Sequence, residues 1–222
     1  MELVVNEIFL SFQGEGLHTG LPTTFVRLAG CNLKCGWCDT LYALDPGSGK
    51  PMGIPDIIRE VKDLGNERVC ITGGEPLLQE QTYTLVASLI EIGCLVDIET
   101  NGTISIGMYS ELGERVFMSV DLKTPSSGED GSFRMENMKF LRRHDQLKFI
   151  IGSEEDIEYS VEIIKMADPP CELVFTPVSN TGGGSLADGL MRRIKDGSLP
   201  PERTRLMVQT HKVIWPPERR GV

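Results

Sequence analysis

The chain has 222 residues, six of them cysteine, and a formal net charge of -10. That length fills one sizeable core and is short for two, so residues 1–222 read as a single domain. The acidic balance supplies no general field for nucleic acid or an anionic membrane surface, which leaves a small-molecule partner as the simpler reading.

Three cysteines crowd the stretch from Cys31 to Cys38, and Cys70, Cys94 and Cys171 fall singly beside apolar runs. This is not the spacing of an extracellular disulfide frame, and the single cysteines are expected to be buried thiols. Met1 to Glu7 lacks the basic head and long apolar run of an export signal, and no later segment is long enough to cross a bilayer. A reducing, cytoplasmic setting is expected.

In chain order, Leu3 to Phe12 reads as an opening strand, followed by the polar turn Gln13-Gly14-Glu15-Gly16 and a second strand over Thr23 to Ala29. After the cysteine loop, Asp45 to Pro51 reads as irregular, and Pro55 starts a helix with the apolar stripe Ile57, Ile58, Val61 and Leu64. Val69 to Thr72 is a strand ending at Gly73-Gly74-Glu75-Pro76; a helix marked by Tyr83, Val86, Leu89 and Ile90 follows and stops at Gly93. Leu95 to Glu99 is a strand ending at Thr100-Asn101-Gly102, Met108 to Leu112 a weak helical signal, and Val116 to Leu122 another strand leading into the polar loop that starts Lys123-Thr124-Pro125-Ser126.

Met138 to Arg142 reads as a short helix and Leu147 to Ile151 as a strand. Ser153 and Asp156 have the spacing of a capping box for a helix reaching about Met166. Leu173 to Thr176 is a strand; the run Asn180 to Ser185 lacks the Lys of a phosphate-binding loop and reads as a flexible turn. Leu186 to Ile194 is helical in pattern, Arg205 to Gln209 is a last strand, and Val213 to Glu218 reads as irregular because of its two prolines. Alternating strands and helices of these lengths predict a mostly parallel sheet in an α/β layer fold, with polar motifs just after the strands, where such folds bind ligands.

Cys31, Cys35 and Cys38 form a CxxxCxxC loop after a strand. Three thiolates leave one corner of a metal or iron-sulfur site open; a zinc site completed by Cys70, Asp39 or a distant His is the alternative, as is a noncatalytic metal-binding module. With Trp37 before the last Cys and Gly73-Gly74-Glu75-Pro76 at the next strand end, the pattern resembles the radical S-adenosylmethionine superfamily. The flanks narrow the resemblance: Phe12-Gln13-Gly14-Glu15-Gly16, Cys38-Asp39-Thr40 and Gln209-Thr210-His211-Lys212 are similar to the 7-carboxy-7-deazaguanine synthase family over nearly the entire chain.

That resemblance implies an incomplete, modified (β/α)6 barrel, a homodimer, and radical ring contraction of 6-carboxy-5,6,7,8-tetrahydropterin with loss of ammonia. It implies a 4Fe-4S cluster on Cys31, Cys35 and Cys38; S-adenosylmethionine at Gly73, Gly74, Glu75, Glu99, Asn101 and Ser119, with Lys123 and Ser126 bordering it; and Mg2+ at Thr40. Substrate contacts fall to Gln13, Gly14, Glu15, Arg27, Thr72 and His211. The donors and acceptors of Gln13 and Glu15 suit a pterin edge, and the fork of Arg27 suits a carboxylate, although it can also pair with a nearby acidic residue. His211 is open between a packing and a substrate role, while His18 and His144 read as surface or locally bonded residues. An electron donor such as flavodoxin or ferredoxin is expected. An activating enzyme for a glycyl-radical partner is the second reading; it gives no reason for Gln13 to Glu15.

Overall fold

The structure is a computed structural model and describes residues 1–178, 183–216 and 219–221. Among these residues the strands are β1 (Glu2–Phe12), β2 (Pro22–Leu28), β3 (Lys50–Gly53), β4 (Arg68–Gly73), β5 (Leu95–Thr100), β6 (Val116–Leu122), β7 (Gln146–Ile151), β8 (Glu172–Pro177) and β9 (Thr204–Leu206). They form one sheet in the order β3-β1-β2-β4-β5-β6-β7-β8-β9. From β2 onward every neighbouring pair is parallel, whereas β1 runs antiparallel to both β2 and β3.

The crossovers are α1 (Ile54–Asp63), α2 (Thr82–Glu91), α3 (Gly107–Ser110), α4 (Glu154–Ala167) and α5 (Gly183–Lys195), and a short α6 (Thr210–Ile214) follows β9. Between β6 and β7 the link consists of 3-10 turns at Pro125–Ser127 and Met135–Phe140. The parallel strands β2 and β4 to β9 with their crossovers form the core of a (β/α) partial barrel, extended by the β1–β3 ribbon at one edge.

Side chains alternate across each strand, so the sheet has two distinct faces. Val26, Leu28, Ile71, Ile98, Val120, Phe149 and Phe175 lie under the helices in the main apolar cluster, met by Ile57 and Val61 of α1 and Leu85 and Leu89 of α2. Burying each such side chain contributes about 1.5–3 kcal/mol, which makes this face the stabilising one. The alternate residues are Arg27, Thr72, Glu99, Ser119, Asp121 and Lys148, and the strand register brings them side by side: Arg27 beside Thr72, Glu99 beside Ser119, and Asp121 beside Lys148. One face therefore supplies stability and the other chemistry.

The capping box of α4 forms as its sequence predicts, with the Ser153 hydroxyl accepting from Asp156 N and the Asp156 carboxylate accepting from Ser153 N. Several expectations are corrected. Lys50–Gly53, inside or next to the run read as irregular, pairs with β1 as an edge strand. The helix expected over Met138 to Arg142 is instead the 3-10 stretch Met135–Phe140, because the buried Asn137 amide bonds the carbonyls of Gly102 and Ile104 and accepts from Ile106 N. Gly183 to Ser185 opens α5 rather than a turn, and Asn180 to Gly182 lie outside the described residues. The last strand ends at Leu206, and Val213 and Ile214 close α6 instead of an irregular tail.

Candidate active site

The cysteine loop leaves β2 and is held by its backbone. Gly30 N donates to Ala43 O, Cys31 N to Leu44 O and Gly36 N to Ser127 O, while Lys34 N donates to the Glu129 carboxylate. Cys31, Cys35 and Cys38 are all partly exposed, whereas Cys70, Cys94 and Cys171 are buried, as expected of core thiols. Burial pushes the Cys31 and Cys35 thiols above their ordinary range, so a metal must compensate for forming thiolates there. A single zinc ion would hold its sulfurs about 3.8 Å apart. Among the described residues only Glu15, Asp39 and His211 bring ligand atoms all within 4.8 Å of one another. Cys31, Cys35 and Cys38 do not form such a group as they stand; their shared loop is what brings three thiols to one place for a metal or cluster.

Gly73 and Gly74 lie against the entry to this loop. Gly74 N donates to Leu28 O and Glu75 N to Gly30 O at 2.7 Å. A Cβ on Gly73 would run into the Leu28 backbone, and one on Gly74 would meet the Gly30 carbonyl and come within 2.8 Å of Cys31 Cβ. Glycine is required because two main chains touch. Glu75 is fully buried: its carboxylate accepts from Leu77 N, Thr100 Oγ1 and Asn101 N, tying the ends of β4 and β5 together. Burial raises its pKa. Asn101 in turn donates to Asn32 Oδ1 at 3.1 Å and approaches Cys31 Sγ at 3.9 Å, so it braces the cysteine loop.

On the polar face, Gln13 Nε2 donates to Glu99 Oε1 at 3.0 Å and Thr72 Oγ1 to Glu99 Oε2 at 2.9 Å. Gln146 Nε2 donates to Ser119 Oγ, and Lys123 Nζ to Asp121 Oδ2. The other carboxylate oxygen of Asp121 is buried without a partner among the described residues, an acceptor left open. Arg27 bonds Glu7 Oε1 through Nε at 2.8 Å and lies over the Phe9 and Tyr42 rings. It does pair with an acidic neighbour, yet its two Nη groups have no protein partner among the described residues and are free to hold a carboxylate. Ser126 differs: its amide donates to Asp156 and its hydroxyl meets Ser153, so its bonding belongs to the start of α4.

The turn after β1 carries Glu15 between two partners. Lys148 Nζ donates to Oε2 at 2.5 Å and Gln209 Nε2 to Oε1 at 2.7 Å. Burial alone would raise the Glu15 pKa; the Lys148 ammonium overrides it and takes the carboxyl down to about 2. Gly14 lies under the C-terminal segment: Thr210 N donates to its carbonyl, and a Cβ there would strike the His211 ring. Asp39 receives Thr40 Oγ1 at 2.9 Å and Lys212 Nζ at 2.6 Å. Thr40, Asp39 and Glu15 form an oxygen-rich group, which fits a hard cation such as Mg2+. Glu15, Gln13, Glu99 and Ser119 border a small recess that His18 and Phe117 also line. His18 is locally bonded, sharing Asp97 with Arg68.

The site brings together Gln13, Gly14, Glu15, Arg27, Thr72, Glu99, Ser119 and His211 on or beside the polar face, with Gly73, Gly74 and Asn101 behind the cysteine loop. Lys148, Asp121, Gln209 and Lys212 were not singled out one by one from the sequence. Lys148 and Asp121 leave a readable signal, since each is the one charged residue of a mostly apolar strand.

Residues 26–168 match the model of the radical SAM superfamily. A 7-carboxy-7-deazaguanine synthase of Thermoplasma acidophilum is 36% identical over 213 residues, covering 96% of this chain and 97% of the relative. One from Koribacter versatilis is 37% identical over 232 residues, covering 98% and 99%. The crystal structure of QueE from Escherichia coli superimposes with a TM-score of 0.73 at 23% identity, covering 94% of each chain, and shares the partial-barrel fold.

Proposed function

Because the chain belongs to the radical S-adenosylmethionine superfamily and, within it, to the 7-carboxy-7-deazaguanine synthase family, we propose that its polar sheet face binds 6-carboxy-5,6,7,8-tetrahydropterin for contraction to 7-carboxy-7-deazaguanine with loss of ammonia. The supporting observation is the bonded set on that face. Gln13 and Glu15 present a donor and a fixed carboxylate in one turn, and Arg27 presents an open fork beside them.

Cys31, Cys35 and Cys38 would hold a 4Fe-4S cluster, which with S-adenosylmethionine would supply the one-electron chemistry for hydrogen-atom removal at C6 of the pterin. The chain's own residues bind and orient. Glu15, kept ionised by Lys148, accepts from the amino and amide edge of the pterin; Gln13 and the Gly14 main chain complete that edge. Arg27 holds the C6 carboxylate, and Thr72 and His211 flank the ring. Gly73 and Gly74 offer backbone to the cofactor's amino group, with Glu75 bracing them from inside. Glu99, Asn101, Ser119 and Lys123 complete the cofactor side, Asp121 accepts there through its open oxygen, and Ser126 supports the loop. Thr40 takes Mg2+ with substrate and water oxygens.

Residues 1–222 are read as one domain, a reading supported by the single sheet whose strands run from Glu2 to Leu206. A homodimer, a flavodoxin or ferredoxin as electron donor, and a cytoplasmic setting complete the reading. Leu10, Phe12 and Leu21, exposed together where β1 and β2 join, support the first, and among the described residues no helix is long and apolar enough to cross a membrane.

The test is an anaerobic incubation of reconstituted protein with reductant, Mg2+, S-adenosylmethionine and the carboxytetrahydropterin. Wild type should release the deazapurine and ammonia, Cys35→Ala neither. Glu15→Gln should keep cofactor cleavage while losing most pterin turnover. No turnover by a wild-type protein with an intact, reduced cluster would overturn the reading.

A further inference from the structure

The C-terminal segment that carries His211 lies against the site with little apolar support. α6 has no buried residue, and Val213 and Ile214 are exposed. Polar contacts hold it: Met207 N donates to Phe175 O, Thr210 N to Gly14 O, and Gln209 Nε2 to Glu15 Oε1. Thr210 Oγ1 also donates to Gly14 O, and His211 Nε2 lies 3.9 Å from Asp39 Oδ2, a longer contact than those of Lys212, which join two other parts of the site. Lys212 Nζ donates to Gln209 Oε1 at 2.6 Å and pairs with Asp39 Oδ2 at 2.6 Å, and the second oxygen of Asp39 accepts from Thr40. An unbroken chain therefore runs Lys148–Glu15–Gln209–Lys212–Asp39–Thr40. It starts in the middle of β7 and ends in the turn that closes the cysteine loop.

We propose that Lys212 is a positioning residue: its ammonium pins the Cys38–Thr40 turn to the C-terminal segment, setting Thr40 and Asp39 at a fixed distance from Glu15 and His211. The inference rests on the pterin-and-Mg2+ reading of this site and adds what assembles it. The two sides of the subsite come from residues 13–15 and 38–40, which belong to different loops. Lys212 spans them through the bonds of Gln209 and Asp39. With a neutral side chain at position 212, Asp39 loses a charged partner and Gln209 loses the donor that orients its amide toward Glu15. Pterin and Mg2+ binding should then weaken together, while cluster loading should not change, because the backbone bonds of Gly30, Cys31 and Gly36, and that of Cys38 N to Cys35 O, hold the cysteine loop without Lys212.

The test compares Lys212→Met and Lys212→Arg with wild type, after wild type has been shown to form product, so that failure of the functional reading is seen first and separately. In Lys212→Met, the KM for the pterin and the half-saturating Mg2+ concentration should each rise about ten-fold, the effect of one partly exposed charged hydrogen bond. kcat should fall by less, and iron content and the EPR signal of the reduced cluster should match wild type. Lys212→Arg should recover most of both losses. In the reconstituted protein, amide hydrogen exchange of residues 209–215 should speed up in Lys212→Met and not in Lys212→Arg. Unchanged KM and Mg2+ dependence in Lys212→Met would overturn the proposal. So would a loss confined to kcat, or equal loss in the arginine variant.

Discussion

Replacing Lys148 with Met keeps most of the side-chain volume and removes the charge opposite Glu15. The two groups are 2.5 Å apart, with side chains only 6% and 19% exposed, so water cannot take the place of the ammonium. Glu15 has a pKa of about 2 against its ordinary 4.5, and that difference corresponds to about 3 kcal/mol. The cost expected from leaving one member of a buried pair unpartnered, about 3–5 kcal/mol, agrees. The carboxyl's pKa is lowered by folding, so its contribution is complete above about pH 4.5 and is lost as pH falls toward about 2. Urea unfolding of the cluster-free protein, followed by circular dichroism at pH 7, should show a midpoint lower by about 1 M for an m-value of about 3 kcal/mol/M. The gap from wild type should narrow below pH 4.5. Adding Glu15→Gln to Lys148→Met should recover part of the loss, because the carboxylate that Lys148 contacts directly is then neutral, while Glu99 and Asp121 still lack its field. A midpoint unchanged at pH 7, or a double variant less stable than Lys148→Met, would refute the reasoning.

Gly74→Ala forces a methyl group against the Gly30 carbonyl and Cys31 Cβ; reconstituted protein should hold less than half the wild-type iron and sulfide, measured by colorimetric assay. Arg27→Lys keeps the charge but loses the fork, so the KM for the carboxylated pterin should rise about ten-fold or more with a smaller change in kcat. Ser153→Ala removes one half of the α4 capping box, and thermal or urea unfolding should show a loss of about 1 kcal/mol.

Strand-helix alternation was legible because buried parallel strands are short apolar runs bounded by glycine and polar turns, as Val69 to Gly73 illustrates. The cysteine loop and Gly73-Gly74 were legible because each is a local pattern. What escaped depends on distant partners. β3 is a strand only because β1, about 50 residues earlier, offers it an edge. The Met135–Phe140 turns follow from the bonds Asn137 makes to residues 102–106. α6 is a five-residue helix whose place is set by the turn at Gly14. Lys148 and Glu15 are separated by 133 positions, so the sequence offered the charge inside the strand but not its partner. The same holds for Arg27, where residue type suggested both a carboxylate ligand and an acidic neighbour; the structure supplies Glu7 as the neighbour and leaves the fork open.

The most direct measurement is mass spectrometry of a single anaerobic incubation, following the carboxytetrahydropterin, the carboxydeazaguanine and S-adenosylmethionine together. The account predicts that pterin is converted to deazapurine one for one while S-adenosylmethionine is recovered. Accumulation of 5'-deoxyadenosine and methionine with the pterin untouched would contradict it, leaving a radical enzyme whose polar sheet face serves some other substrate.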